Sequence, residues 1–231
     1  YPELAKDFQL RMRGDLPEGW DDGLSDLFKN EKEKMATRKA SGIVINHLAK
    51  KVKALVGGAA DLAPNCNTKI KEEKYFQSDL PMGRNFHFGV REHAMGALAN
   101  GLYLHGGLIP YTATFLVFSD YMKPAIRVSA VMENQVINIF THDSIGLGED
   151  GPTHQPIEQL MHLRSIPNVF VVRPADANEV AEGWKLALER KHGPTVLVLS
   201  RQGLPIFDRT QYASAINLHK TFFEQNYLGH H

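Results

Sequence analysis

Polar side chains that could take part in chemistry follow several of the predicted strands. Asp61 comes after a short apolar run, and Glu92 opens a predicted helix. His142 and Arg201 each follow a β-branched run of strand character. The ligand crevice of an open α/β sheet lies at the carboxyl ends of its strands, so we expect these side chains to meet at one edge. Carboxylates and a histidine could exchange protons with a ligand there, and a guanidinium group could bind an anion.

A group of histidines and aspartates lies close together in the sequence: His142, Asp143, Asp150 and His154. By composition the group resembles a metal cluster, but its spacing lacks the i, i+4 pairing of a metalloprotease helix. A wall that binds a sugar explains the same residues equally well. Ordinary polar loop residues are a third alternative, because loops are generally polar. A metal hydrolase built on this group would require bound zinc.

The segment GLGEDG at residues 146–151 matches the G-x-G-x-x-G pattern of dinucleotide sites. We reject a nucleotide site here for two reasons. Glu149 and Asp150 would place two carboxylates where a pyrophosphate should lie. Pro152 follows at once, where the dinucleotide fold requires a helix packed closely on the sheet.

Several candidate residues have an ordinary structural explanation when each is judged alone. Glu92 at a helix start is typical of a surface charge that complements the helix dipole. Phe115, Phe118 and Tyr121 are spaced i, i+3 and i+6 on a predicted helix, which usually indicates core, although a stacking platform needs the same spacing. Arg38 and Arg201 taken singly are typical of exposed ion-pair residues.

Composition limits the class of protein. The 231 residues carry 26 basic and 26 acidic side chains, so no overall field would attract nucleic acid or an anionic membrane. The single cysteine, Cys66, cannot form an internal disulfide, and no long apolar run or signal-like amino terminus is present. These features favour a cytoplasmic enzyme without nucleic-acid or membrane partners.

Helical and strand patterns alternate along most of the chain. This alternation predicts a three-layer α/β domain with a mostly parallel sheet and helices on both faces. Pro124 should start or kink the third predicted helix. The predicted helices are Ala36–Lys53, Arg91–Leu104, Phe115–Met132 and Asn178–Lys191; the predicted strands are Ala54–Val56, Phe86–Phe88, Leu108–Thr112, Gln135–Phe140, Val169–Val172 and Thr195–Leu199, with a loop over Gly57–Pro64.

The predicted organisation has three parts. Residues 1–34 are charged and rich in turn signals, which indicates an interdomain linker. Residues 35–210 form one domain, and residues 211–231 form an unassigned tail. The chain begins with Tyr1 and ends in Gly229, His230 and His231, a pattern typical of an excised piece carrying a purification-tag remnant.

Seven segments between TRK (37–39) and LSRQGLP (199–205) are informative together, among them RNFHFGVREHAMG (84–96) and THDSIGLGEDGPTHQP (141–156). In sequence and in order, these segments resemble the transketolase family. GEDGPTHQP is specific to transketolase and its near relatives, whereas GVREH is shared more widely among thiamine enzymes. The resemblance covers residues 1–210 and implies the central, pyrimidine-binding domain of the thiamine-diphosphate-binding fold. The segments are TRK (37–39), GGAADLAP (57–64), RNFHFGVREHAMG (84–96), TATFLVFSDYMKPAIR (112–127), THDSIGLGEDGPTHQP (141–156), NVFVVRPADANE (168–179) and LSRQGLP (199–205).

The resemblance implies cofactor-binding roles for five residues. Glu92 resembles the glutamate that hydrogen-bonds N1′ of the thiamine aminopyrimidine, where a carboxyl group in an apolar pocket can share a proton with the ring. Phe115, Phe118 and Tyr121 resemble the aromatic residues that pack on that ring. Asp61 resembles an aspartate near the cofactor.

The resemblance also implies substrate-binding roles. Arg38, His142 and Arg201 resemble the donors that hold a sugar phosphate. Asn65 stands where many members of the family have a serine that contacts phosphate, and an amide can still donate there. Asp150 and His154 resemble the pair that binds substrate hydroxyls; His154 and Glu92 are the two residues to which catalytic roles are assigned, and no residue is assigned to a metal.

The family binds the cofactor diphosphate and Mg²⁺ or Ca²⁺ in a separate amino-terminal domain, through a GDG motif and a later asparagine that this chain lacks. The resemblance therefore implies a homodimer in which this domain meets the diphosphate-binding domain of the second subunit. It further implies a cytoplasmic enzyme of the pentose phosphate pathway that acts on sugar phosphates and is inactive as this isolated domain. Dihydroxyacetone synthase, 1-deoxyxylulose-5-phosphate synthase and a non-catalytic interaction module remain the alternatives.

Overall fold

A six-stranded, all-parallel sheet forms the centre of the molecule, and the computed structural model describes residues 1–218. The strands lie in the order β3-β2-β4-β5-β7-β6. A second, two-stranded antiparallel sheet joins β1 and β8. The strands are β1 Met35–Ala36, β2 Leu55–Ala59, β3 Asn85–His87, β4 Ile109–Phe115, β5 Ile137–Thr141, β6 Phe170–Val172, β7 Thr195–Val198 and β8 Gly203–Leu204.

Seven α-helices lie within residues 1–218. They are α1 Pro2–Met12, α2 Thr37–Leu48, α3 Ala63–Cys66, α4 Glu92–His105, α5 Ser119–Val131, α6 Gln159–Arg164 and α7 Ala177–Glu189. Helices α2 and α7 share a core with one face of the sheet, while α4, α5 and α6 share a second core with the other face. The predicted three-layer α/β architecture is confirmed.

The two cores arise from alternation along the central strands. Ile137 and Ile139 of β5 belong to the core with α2 and α7, whereas Phe140 belongs to the core with α4 and α5. In β7, Leu197 belongs to the core with α2 and α7, and Val196 belongs to the core with α4 and α5. Because both faces are covered, nearly every position in these strands must be apolar, which explains why the β-branched runs predict them correctly.

Strand β2 continues three residues beyond its predicted end at Val56, into the segment predicted as a loop. The difference comes from Gly57 and Gly58. A Cβ atom at Gly57 would lie 2.1 Å from the Tyr111 carbonyl oxygen, and one at Gly58 would lie 2.0 Å from that of Phe86. The neighbouring strands approach so closely that only glycine fits, although glycine is rare in strands and suggests a loop.

The predicted single helix Phe115–Met132 is wrong at its start. Phe115 is the last residue of β4, a 3₁₀ turn covers Leu116–Phe118, and α5 begins at Ser119. Pro124 lies inside α5 and does not start it. The β-branched and aromatic content of YTATF favours the strand, and the helical pattern dominates only after it.

Residues 1–34 contain regular structure that the sequence analysis does not assign. Helix α1 buries none of its residues, and its apolar side chains Leu4, Phe8 and Met12, which are spaced at i, i+4 and i+8, are exposed. Leu24 and Phe28, further along, pack in the core beside α2 and α7. Residues 219–231, with the predicted tag remnant, lie outside the described residues. In the described part of the chain, no helix combines the length and apolarity needed to cross a membrane.

Candidate active site

The predicted functional residues lie at the carboxyl ends of the parallel strands. Asp61 follows β2 by two residues, Phe115 ends β4, His142 follows β5 directly, and Arg201 follows β7 by three residues. Because the strands are parallel, their carboxyl ends face the same edge of the sheet. The fold thus brings residues that are up to 140 positions apart to one surface.

Two of these residues have left-handed backbone conformations. Asp61 has φ 60° and His142 has φ 59°. Aspartate and histidine are among the non-glycine residues that tolerate this region, which still costs about 1–3 kcal/mol in a constrained site. Favourable interactions elsewhere in the fold offset this cost, so both residues keep these conformations at the strand ends.

A cavity of about 560 Å³ opens at this edge, and Glu92 lies in its wall. Glu92 is the first residue of α4 and is only 7% exposed. Its Oε1 atom accepts a hydrogen bond from Thr114 Oγ1 at 3.4 Å. The other lining residues are Ala60, Asp61, Leu62, Val90, Phe118 and Tyr121. A mostly apolar space with one buried carboxylate fits a flat ring that has a polar edge.

Stacked aromatic rings form one wall of this region. The rings of Phe115 and Phe118 are 5.9 Å apart and nearly parallel, and those of Phe118 and Tyr121 are 6.2 Å apart. The ring of His154 meets Phe118 edge-on at 5.3 Å. Tyr121 remains 66% exposed, so the wall is open on its outer side.

A pair of arginines lies beside the aromatic wall. Ser200 donates its backbone N–H to Thr37 Oγ1 at 2.7 Å, and Thr37 N–H donates to Ser200 Oγ at 3.1 Å. This reciprocal pair ties the start of α2 to the end of β7. Arg38 and Arg201, the residues that follow, are therefore held close enough to repel each other.

The guanidinium group of Arg38 is partly buried and incompletely hydrogen-bonded. Burial, followed by the charge of Arg201, lowers the pKa of its guanidinium group. Its Nη1 donates to the Asn65 carbonyl oxygen at 2.6 Å, while its buried Nε has no hydrogen-bond partner among the described residues 1–218. An orphaned buried donor beside a second cation would be satisfied by a bound anion.

His142 joins the arginine pair to the aromatic wall. It is 2% exposed, and its ring stacks on Phe115 at 3.7 Å. Burial, and next the charge of Arg38, lowers the pKa of His142 from 6.5 to about 4. The ring is therefore neutral at pH 7, with one N–H donor and one acceptor. Asp150 and His154 are also close enough to act on it electrostatically.

The lowered pKa of His142 predicts a loss of stability in acid. An unfolded histidine takes up a proton near pH 6.5, whereas the native one does so only near pH 4. The unfolded state binds more protons between these values, so the free energy of unfolding falls as the pH falls from about 6.5 to about 4. Urea unfolding at pH 7 and pH 4.5 should show a smaller loss in His142→Gln than in the parent chain. The matched change at exposed His93 should leave the loss unaltered, and an equal loss in all three proteins would contradict the prediction.

Comparison with known proteins decides the family. Residues 33–206 match the model of the transketolase pyrimidine-binding domain. The chain belongs to this transketolase family. It is 51% identical over 220 residues to a transketolase of Aquifex aeolicus and 56% identical over 208 residues to one of Halalkalibacterium halodurans, matches that cover 95% and 90% of this chain and 31% of each relative.

Solved transketolase structures share the fold. A Pichia stipitis transketolase in complex with sedoheptulose 7-phosphate superposes with a TM-score of 0.90 at 45% identity, over 95% of this chain and 33% of that one. A split-gene transketolase described as an inactive β4 tetramer superposes with a TM-score of 0.61 at 32% identity, over 76% of this chain and 55% of that one. The chain spans about a third of the length of the curated relatives named above.

Within this transketolase domain the predicted residues fall into two adjoining groups. One group surrounds the cavity, and the other surrounds the arginine pair; Phe115 and His142 connect them through their stacked rings. Asn65 is exposed, and it is its carbonyl oxygen, not its amide, that contacts Arg38. The cavity group is Asp61, Glu92, Phe118 and Tyr121, and the arginine group is Arg38, Asn65, Asp150 and Arg201, with His154 beside Phe118.

Sequence reasoning missed two buried threonines of the site. Thr114 donates to Glu92, and Thr141 is hydrogen-bonded to His142. Both are fully buried in otherwise apolar strands. Each threonine is a polar residue inside a strand that is covered on both faces. Since a buried hydroxyl needs a hydrogen-bond partner, such a position in the sequence indicates a buried polar contact.

A metal centre finds no support in the same loops. Within residues 1–218, no three side chains of His, Cys, Asp or Glu are grouped so that they could hold a metal ion. Asp143, which the composition grouped with His142 and His154, instead accepts a hydrogen bond from Arg173 Nε at 2.8 Å.

A larger cavity, of about 710 Å³, is lined by a different set of residues. Its walls include Lys39, Lys50 and Lys53 on or after α2, and Lys69 and Lys71 in the following loop. None of the predicted functional residues lines it. Long surface lysines enclose space without fixing a geometry, so the smaller cavity with its buried carboxylate is the candidate site.

Proposed function

We propose that this chain is the central domain of an enzyme that transfers a two-carbon ketol unit from a ketose phosphate to an aldose phosphate with thiamine diphosphate. One observation carries the proposal. Glu92 is buried at a helix start, in a cavity whose wall includes the aromatic rings of Phe118 and Tyr121. A carboxylate is costly to bury, and its place facing a mostly apolar cavity is explained by a ligand that shares a hydrogen with it.

The residues of the cavity fit the aminopyrimidine ring of the cofactor. The aromatic rings would pack on its face, and the Glu92 carboxyl group would hydrogen-bond a ring nitrogen and hold the shared proton there. Thr114 Oγ1 donates a hydrogen bond to that carboxyl group at 3.4 Å and would orient it. Asp61, at the cavity rim, would contact the cofactor. When bound, thiamine diphosphate supplies the nucleophile and the electron sink that ketol transfer requires.

The arginine pair fits the phosphate group of the sugar. Within residues 1–218, Arg38 has a buried donor without a hydrogen-bond partner, and the one ion pair of Arg201 is a long contact of 3.7 Å to the exposed Glu149. His142, which stacks on Phe115, adds a neutral ring. The Asn65 amide would add a further donor. Asp150 and His154 would bind the hydroxyl groups of the sugar, with His154 near the reacting carbon.

The rest of the site would come from elsewhere in the full-length protein. We propose that an amino-terminal domain of the second subunit of a cytoplasmic homodimer supplies the diphosphate site and its Mg²⁺ or Ca²⁺. The open outer side of the cavity supports this division, since Val90 and Tyr121 at its rim are 75% and 66% exposed. In this scheme residues 35–210 form the domain, residues 1–34 link it to the preceding one, and the domain alone is inactive.

The proposal predicts that activity appears only when the missing half of the site is added. The 231-residue chain should bind thiamine diphosphate weakly by calorimetry, because the binding energy is divided between two domains. Mixing it with a transketolase amino-terminal domain, the cofactor and Mg²⁺ should restore transfer from xylulose 5-phosphate to ribose 5-phosphate. The same mixture made with Glu92→Gln is the control and should remain inactive. Tight, Mg²⁺-dependent binding by the chain alone would refute the proposed division.

A further inference from the structure

A chain of three hydrogen-bonding groups runs behind His142. Cys66 Sγ lies 3.4 Å from Thr141 Oγ1, and Thr141 Oγ1 lies 2.9 Å from His142 Nδ1. Cys66 and Thr141 are completely buried, so no water competes for these contacts. Cys66 lies in helix α3 and Thr141 at the end of β5. The contact between Cys66 and Thr141 is therefore made by the tertiary fold and not by residues that are neighbours in the sequence.

The protonation states of the Cys66 thiol and the His142 ring restrict which group donates in each of these hydrogen bonds. Burial raises the pKa of the Cys66 thiol to about 12, so the sulfur keeps its hydrogen. His142 is neutral at pH 7 and carries one ring hydrogen. A hydroxyl group has one hydrogen to donate and two lone pairs that can accept. With the ring hydrogen on Nε2, the thiol donates to Thr141 and the Thr141 hydroxyl donates to His142 Nδ1, so the thiol and hydroxyl hydrogens are both bonded. With the ring hydrogen on Nδ1, the ring donates to Thr141, and either the thiol or the hydroxyl hydrogen has no partner within these three groups.

We propose that Thr141 is a positioning residue, whose hydroxyl accepts from the Cys66 thiol, donates to His142 Nδ1 and so keeps the imidazole hydrogen on Nε2, aimed at the substrate phosphate. The inference rests on the proposed function. It assigns to Thr141 and Cys66 a role in setting the ring tautomer.

The tautomer matters because a phosphate only accepts hydrogen bonds in its ionised form. Within residues 1–218, His142 Nε2 makes no hydrogen bond, so it is free for a ligand. With the hydrogen on Nε2, the neutral ring adds a donor without adding a third positive charge beside Arg38 and Arg201. With the hydrogen on Nδ1, the ring would present a lone pair to the phosphate and repel it.

The first test reads the tautomer directly and requires no activity. Long-range ¹H–¹⁵N correlation spectra of the 231-residue chain at pH 7 distinguish the two neutral forms, and the signals lost in His142→Asn identify the ring. The expected result is the Nε2–H form, with a ¹⁵N shift of Nδ1 that changes in Thr141→Val and returns toward the parent value in Thr141→Ser. An Nδ1–H ring in the parent chain would overturn the inference, whatever the enzyme does.

The second test uses the full-length enzyme. Thr141→Val keeps the side-chain shape and removes the hydroxyl, and we expect it to raise KM for a phosphorylated ketose about fivefold to tenfold, the loss of one hydrogen bond. KM for hydroxypyruvate, which has no phosphate, and kcat should change little. Thr141→Ser should restore the parent KM, and Cys66→Ala should give a smaller rise than Thr141→Val.

The two tests separate the failure of the inference from the failure of the proposed function. If His142→Ala raises KM for the phosphorylated ketose and Thr141→Val does not, the positioning role is wrong. If His142→Ala itself leaves that KM unchanged, the phosphate site of the proposed function is wrong, and the spectra still decide whether Thr141 sets the tautomer.

Discussion

Replacing Glu92 with glutamine is expected to slow ketol transfer by the full-length enzyme about 100-fold or more, the range of general acid–base catalysis. Glutamine has the same shape as glutamate but cannot share an acidic proton with a ring nitrogen. The cavity itself should survive, because its other walls come from residues 60–62 after β2, from Val90, from the Leu116–Phe118 turn and from α5. The change therefore removes a proton site and leaves the packing intact.

Hydrogen–deuterium exchange at C2 of bound thiamine diphosphate is the direct measurement. Glu92→Gln should slow this exchange in parallel with turnover, while circular dichroism and the melting temperature stay near those of the parent. Thr114→Val is the matched variant: it removes the hydroxyl that orients Glu92 and keeps the carboxyl group, so its effect should be much smaller. An exchange rate that is unchanged in Glu92→Gln would remove the proton-sharing role.

The sequence predicts the central strands well because their surroundings are uniform. Strand β5 is covered on both faces, and a mostly apolar run such as that of Ile137, Ile139 and Phe140 is typical of such a strand. Its end is marked by His142, a polar residue where the sheet meets the crevice. Positions of site residues that stand at strand ends are therefore predictable from the sequence.

The aromatic wall shows why a wrong local prediction can still give a correct site. Phe115 lies in a strand and not in the predicted helix, yet its ring stacks on Phe118. The 3₁₀ turn between them has three residues per turn, so residues three apart keep to the same side. The stacking that the spacing indicates survives the change of secondary structure.

Contacts made by distant segments are beyond prediction from one sequence. Thr114 reaches Glu92 because α4 packs on β4, and Cys66 reaches Thr141 because α3 packs against the end of β5. Nothing in the local patterns around these residues indicates their partners. The same holds for Gly57. Only the position of Tyr111 in the neighbouring strand shows that no side chain fits there.

Removing the guanidinium group of Arg201 is expected to raise KM for a phosphorylated ketose about tenfold to 100-fold in the full-length enzyme, the loss of a hydrogen bond between charged groups. KM for hydroxypyruvate should stay near the parent value, because that donor substrate has no phosphate. Arg201 is suited to this test because its side chain braces little of the fold: its ion pair with Glu149 is long, at 3.7 Å, and the Glu149 side chain is 90% exposed. An exposed pair of this kind contributes little to stability.

Glu149→Gln provides the matched control for Arg201→Ala. It removes the same ion pair and leaves the guanidinium group in place, so KM for the phosphorylated ketose should stay the same or fall slightly as a competing carboxylate is lost. Steady-state kinetics with both substrates and all three enzymes give the comparison. The ratio of the two KM values is the informative quantity, because a general distortion of the site would raise both. If Arg201→Ala raises both KM values equally, the arginine pair does not bind phosphate, and its buried unsatisfied donor at Arg38 must have another ligand.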